Sequence, residues 1–174
     1  MAKFLFPSEY YNSTYSIDFE KYYRMGYRGL IFDIDNTLVP HNAMHDDRSR
    51  ELFKRLKNIG YKICFVSNNK EPRVKEFNKE VGGDYIFKAG KPKSAGFKKA
   101  MTKMGTNTEN TLFVGDQLFT DIWGANNAHL HSILVKQIDK KEEIQIILKR
   151  RLEWVVLFFY RIHVRKKGQE WPLF

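Results

Sequence analysis

A single cysteine, Cys64, serves a chain of 174 residues. It excludes an internal disulfide and any cysteine-built zinc site, and it fits a reducing compartment. Long apolar runs are missing too. The longest, "WVVLFFY" at 154–160, falls far short of the ~20 residues that span a bilayer. The first six residues are too short an apolar stretch for a signal peptide before Pro7, so none is expected. Internal repeats and low-complexity tracts are absent, and 43% hydrophobic residues argue against wholesale disorder. Acid is the scarce charge, with 20 Asp and Glu against 30 Lys and Arg. The shortage is local. Residues 88–103 hold six lysines and no acid, and residues 136–174 hold ten basic residues and five acids. Such segments read as solvated surface or as contacts to an anionic partner, nucleic acid or membrane.

Apolar, β-rich runs stand at 30–34, 61–66, 111–115 and 131–135, with a weaker one at 84–88. Helical patterns fill the gaps between them. One begins at Asp46-Asp47 and puts Leu52, Phe53 and Leu56 on one face before Gly60. Others begin at Glu71-Pro72, in "KSAGFKKAMTKM" and in "FTDIWGANNA". Strands alternating with helices predict an α/β fold with a parallel sheet covered on both faces. Three regions follow: an N-terminal extension (1–27) packed on the core, a central domain (28–138) that carries all of these strands, and a basic, apolar C-terminal segment (139–174).

Polar residues collect at the carboxyl ends of these strands, where open α/β sheets bind ligands. Asp33 and Asp35 close the first, Ser67 and Asn68 the second, and Asp116 the fourth; Lys91 follows the weak strand. Strand alternation puts Asp33 and Asp35 on one side. Paired carboxylates repel unless a cation relieves them, and with Asp116 they make an oxygen-rich cluster suited to Mg²⁺. Lys91 adds fixed positive charge and Ser67 a hydroxyl. That set suits a phosphoryl group: a carboxylate attacks, and a second serves as acid. Singly, these residues could be ordinary turn chemistry, Lys91 could be one more surface lysine, and Cys64 a core filler. His41 and His45 read as solvated loop residues ahead of a second metal site.

"DIDNT", "VSNNK", "GKPK" and "GDQLFTD" resemble the four motifs of the haloacid dehalogenase superfamily, in order, over residues 28–136. The resemblance implies a Rossmann-like three-layer sandwich around a parallel sheet of five strands, with the strands of Asp33 and Asp116 adjacent at its centre and residues 28–138 as the catalytic domain. It also implies Asp33 as the nucleophile and Asp35 as acid, then base. Asp33, the Asp35 carbonyl and Asp116 would hold Mg²⁺. Ser67 and Asn68 would bind phosphate, Lys91 would bridge it to Asp33, Thr37 would brace the loop, and Asp121 would support the metal or cap a helix. Aspartate two residues after the nucleophile implies a phosphatase. The gaps of 32 residues from Asp35 to Ser67 and 24 from Ser67 to Lys91 leave no room for a cap domain. The flanks, "FPSEYYNSTYSIDFEKYYRMGYRG" and "VGDQLFTDIWGANNAHLHSILV", resemble small capless phosphatases that include the phosphatidylglycerophosphate phosphatases, with "WGAN" where a glycine pair is expected. That resemblance implies a phosphorylated lipid headgroup as substrate, a step toward cardiolipin, and a cytoplasmic protein peripheral to the inner face of the membrane. The alternatives are a soluble phosphatase for sugar or nucleotide phosphates and a basic nucleic-acid-binding module. The lack of any helix-turn-helix, zinc-finger or RNP pattern argues against the last.

In the C-terminal segment a helix would align Ile144, Leu148, Val155, Phe159 and Ile162 with Ile147 and Phe158. Lys149, Arg150, Glu153 and Arg161 would lie opposite. Such a helix can rest on an anionic membrane, cover the core or pair with a second copy, and its β-rich run could instead be a strand.

Overall fold

The computed structural model describes residues 3–139 and 144–166; the side chains of residues 3, 144–151 and 166 fall outside the description. In chain order it contains β1 (Glu9–Tyr11), α1 (Phe19–Arg24), β2 (Gly29–Phe32), α2 (Asp47–Ile59) and β3 (Lys62–Val66). There follow α3 (Glu71–Val81), β4 (Asp84–Ile86), α4 (Ala95–Met104), β5 (Thr111–Gly115), α5 (Trp123–Asn127), β6 (His131–Val135) and α6 (Ile144–Lys166).

The sheet is parallel throughout, in the order β1-β6-β5-β2-β3-β4. The five expected strands are present, and β2 and β5 lie side by side at the centre. The count is nevertheless six. Glu9–Tyr11, in the N-terminal extension, pairs in register with Ile133–Val135 of β6 and extends that edge. Three residues of backbone pairing leave no apolar alternation to read.

Helices cover both faces because the central strands are apolar on both. The β2 residues Leu30 to Phe32 are fully buried, as are Leu112 to Val114 in β5. On one side α1, α2 and α3 pack an aromatic cluster in which Phe53 meets Phe32 and Phe65 edge-on and Phe65 meets Phe77. On the other, α4 and α5 surround Phe97, Phe113 and the buried Cys64, a core filler as expected. Asp46 caps α2 by accepting from the Ser49 amide, and Gly60 ends it at φ 105°, a conformation that costs glycine little. At "WGAN", Ala125 is fully buried in this second core, so the methyl group that replaces the expected glycine finds room.

Two expectations need correction. His45 is no solvated loop residue: its ring stacks on Phe77 at 3.7 Å, and its nitrogens hydrogen-bond with Ser49 Oγ and the Phe77 carbonyl. In α6 the packed face also differs from the apolar stripe. Glu153, Tyr160 and Val164 are buried, while Val155, Phe158, Phe159 and Ile162 are 40–51% exposed. The segment "WVVLFFY" is helix, not strand. The expected placement of Ile144, Ile147 and Leu148 lies outside the described side chains.

Candidate active site

Four adjacent strands, β5, β2, β3 and β4, deliver the functional residues to one edge of the sheet. β2 ends at Phe32, and the Asp33 amide extends the ladder by one bond to the Val114 carbonyl, 3.0 Å away. The chain then turns. Asn36 takes φ 63°, a left-handed conformation that asparagine tolerates better than most residues. Strand alternation therefore does not govern Asp35. Both carboxylates nevertheless line one cavity of about 240 Å³, together with Ser67, Asn68 and Lys91. Thr37, Asp116 and Asp121 do not line it; all three are buried to 2% exposure or less.

Lys91 is the pivot of the cluster. Its Nζ donates to Asp33 Oδ1 and Asp121 Oδ1, each at 2.6 Å, in surroundings that leave its side chain 4% exposed. Burial alone would depress the lysine pKa, but Asp121 and Asp33 outweigh it and the net shift is upward. Burial raises the Asp33 pKa well above the carboxylate range; Lys91 opposes this, and the nearby Asp121 and Asp116 add to it. One ammonium thus faces three carboxylates, whose oxygens lie within 4.8 Å of one another. The cluster is short of positive charge, which is the condition a divalent cation relieves, and its all-oxygen donors suit Mg²⁺.

The other predicted residues have equally definite partners. Thr37 Oγ1 donates to Asp116 Oδ1 at 2.9 Å, orienting that carboxylate. Asp121 Oδ2 accepts from the amides of Asp116 and Gln117 while its other oxygen holds Lys91. Both its oxygens are engaged, so it supports the cluster from behind. Gly115 makes this possible, because a Cβ there would lie 2.7 Å from Asp121. Asn68 brackets the Lys91 backbone, accepting from its amide at 2.8 Å and donating to its carbonyl at 3.3 Å. It aims the lysine as well as lining the cavity. Ser67 Oγ accepts from the Asn69 amide at 3.1 Å.

Several contributors escaped the sequence reading. Asn69 Nδ2 donates to Asp35 Oδ2 at 2.7 Å, and Arg73 donates to Asp35 Oδ1 at 3.0 Å. Asn69 stood inside a motif, but Arg73 had no signal beyond its place in the first turn of α3. His41, Gln117 and Thr120 also line the cavity. The N-terminal extension steadies the loop after β2: Thr14 Oγ1 donates to the Thr37 carbonyl and the Tyr15 hydroxyl to that of Leu38. The Ile138 amide returns to the Asn36 carbonyl at 3.0 Å and the Asp139 amide to Asn36 Oδ1 at 3.2 Å, tying the start of the C-terminal segment to the same loop. From α6, Glu153 accepts from the Leu118 amide at 2.8 Å, at the start of the π-helical turn Leu118–Ile122 that carries Asp121.

Comparison with known proteins is consistent with this geometry. The family of haloacid dehalogenase-like hydrolases matches residues 42–129. A probable phosphatase of Bacillus subtilis, YqeG, is 35% identical over 158 residues, covering 90% of this chain and 92% of its own length. The chain belongs to the haloacid dehalogenase-like hydrolases. It is a phosphatase, acting on phosphoric monoesters. A chloroplastic and mitochondrial phosphatidylglycerophosphate phosphatase of Arabidopsis thaliana is 28% identical over 89% of this chain, which spans 48% of that protein. The cobalt-bound deoxy-D-mannose-octulosonate 8-phosphate phosphatase of Haemophilus influenzae shares the fold. Its TM-score is 0.51 at 15% identity, over 63% of this chain and 68% of its own. As a member of this family the chain is capless: between Asp35 and Ser67 it builds only α2 and β3, and between Ser67 and Lys91 only α3 and β4.

Proposed function

We propose that this hydrolase removes the terminal phosphate of phosphatidylglycerophosphate, through an aspartyl-phosphate formed on Asp33. The observation that carries the catalytic part is Lys91, held at 2.6 Å from Asp33 at the floor of an open polar cavity. The Asp33 carboxylate attacks phosphorus while Lys91 and the hydroxyl of Ser67 balance the charge on the phosphoryl oxygens. Asp35 gives a proton to the leaving oxygen and then takes one from the water that hydrolyses the intermediate. Mg²⁺ would be held by Asp33 and Asp116, with the Asp35 carbonyl, and would supply charge neutralisation of the phosphoryl group. Thr37 fixes the Asp116 carboxylate, and Asp121 holds the Asp116 amide and Lys91.

Support for a lipid substrate is of two kinds. One is the likeness to the Arabidopsis enzyme, whose name carries that substrate. The other is α6. Trp154, Phe158 and Phe159 are 69%, 51% and 46% exposed, and no acid occurs from 154 to 169. An aromatic, basic helix suits an anionic interface, and no helix among the described residues is long and apolar enough to cross a membrane. A soluble sugar or nucleotide phosphate is the second reading, favoured by the small, polar cavity.

The test is phosphate release from anionic vesicles carrying phosphatidylglycerophosphate, compared with soluble phosphate esters, with Mg²⁺ or with chelator. We expect the lipid to be preferred and chelator to abolish turnover of either substrate. Full activity in chelator would remove the metal, and preference for a soluble ester would remove the lipid. The double variant Trp154→Asp/Phe158→Asp should lower vesicle binding about tenfold or more, since it removes buried apolar area and adds repulsion. Turnover of a soluble aryl phosphate should stay within about twofold of wild type, because neither side chain reaches the cavity. Parallel loss of both activities would mean that this face of α6 is structural.

A further inference from the structure

We propose that Arg73 is a positioning residue for the proton-transferring carboxylate of Asp35, which it holds so that one chosen oxygen faces the substrate. The inference rests on the reading that Asp35 handles the leaving group's proton. Asp35 lies beyond the end of β2, in a turn whose backbone does not set its side-chain direction. Three donors set it instead. The Asn42 amide, at 2.7 Å, and Arg73, at 3.0 Å, both bind Oδ1, while Oδ2 accepts from Asn69 Nδ2 at 2.7 Å. Asn69 lines the cavity and Arg73 does not, so the arginine reaches Asp35 from outside the cavity lining.

Arg73 is itself clamped. The nitrogen that binds Asp35 also donates to the Ala43 carbonyl at 2.6 Å, and the guanidinium lies over the Phe77 ring at 5.4 Å. Its Nε is buried without a hydrogen-bond partner. The side chain gives up one donor and thereby places another between the Asp35 loop and Ala43. With side-chain exposures of 15% and 10%, the Arg73–Asp35 pair is not an ordinary surface ion pair.

The chemistry assigns the two oxygens different tasks. Oδ1, bound twice, is the anchor, and Oδ2 exchanges the proton. In the first step an Asp33 oxygen bonds to phosphorus and the bond from phosphorus to the leaving oxygen breaks. That oxygen's electron pair takes the proton from Asp35 Oδ2. In the second step water attacks phosphorus and returns a proton to Oδ2, and Asp33 leaves as carboxylate. A mispositioned Asp35 should harm the first step most when the leaving group is a poor one, since a good one departs without protonation.

The test measures kcat/KM for aryl and alkyl phosphates of graded leaving-group acidity, for the wild type, Arg73→Ala and Arg73→Lys. Arg73→Ala should lose at least about tenfold more on an alkyl phosphate than on p-nitrophenyl phosphate, with the loss in kcat. Arg73→Lys keeps the charge, but its side chain is shorter and lacks the guanidinium plane that lies over Phe77. It should fall between the other two, and it carries the same contrast if alanine unfolds the protein. An equal loss on every ester, a loss confined to KM, or no loss would overturn the assignment. Asp33→Asn in the same assay separates the outcomes: activity there would reject the aspartyl-phosphate reading itself, whatever Arg73 does.

Discussion

Asp33→Asn should lower phosphatase turnover by ~10⁴-fold or more while leaving the protein folded. Loss of a nucleophile from a unit that acts together has effects of this order. The fold should survive for a local reason. Asp33 is a buried carboxylate beside Asp116 and Asp121, and its pKa is pushed up by burial. A neutral amide of the same shape relieves that crowding, and its carbonyl oxygen can still accept from Lys91. Asp121 remains to balance the ammonium. Steady-state kinetics with a thermal melt checks both halves. Residual activity near wild type would reject Asp33 as the nucleophile.

Lys91→Met should damage both function and stability. The ammonium is the hydrogen-bonded cation between Asp33 and Asp121, and its removal leaves their carboxylates buried without it. Breaking a buried ion pair from one side costs about 3–5 kcal/mol. In a chain of this size that lowers the thermal midpoint by ~10 °C. Turnover should fall ~10²–10³-fold, the usual cost of one preorganised charge at a reacting phosphoryl group. Added Mg²⁺ should recover part of the lost midpoint, since a divalent cation relieves the same carboxylates. A variant that melts with the wild type would show that the cluster is balanced by groups other than Lys91.

Much of the site was legible because a parallel sheet puts its strand ends on one edge. Once "LIFDI", "YKICFV" and "TLFVG" read as strands, Asp33, Ser67 and Asp116 had to converge. Lys91 needed a fourth, weak strand, and the structure holds its backbone in place through two hydrogen bonds with Asn68, one accepted and one donated by that side chain. What escaped was set by contacts distant in sequence. β1 has three residues and exists because β6 offers it an edge. Thr14 and Tyr15 act through single hydrogen bonds to carbonyls 23 residues away. Glu153 read as the solvated side of a helix. It is buried because the Leu118 amide, at the start of a turn, needs an acceptor. Arg73 carried no pattern at all; its meaning comes from the place where Asp35 ends up.

An aspartyl-phosphate on Asp33 can be trapped by removing the base that hydrolyses it. Asp35→Asn, given an aryl phosphate with Mg²⁺, should expel the good leaving group unaided but lack the base that activates water. Acid-quenched protein should then carry one phosphoryl group, and peptide mass spectrometry should place it on Asp33 in step with the release of phenolate. Phenolate released with no phosphoryl group on the protein, or with the group on another residue, would contradict the account.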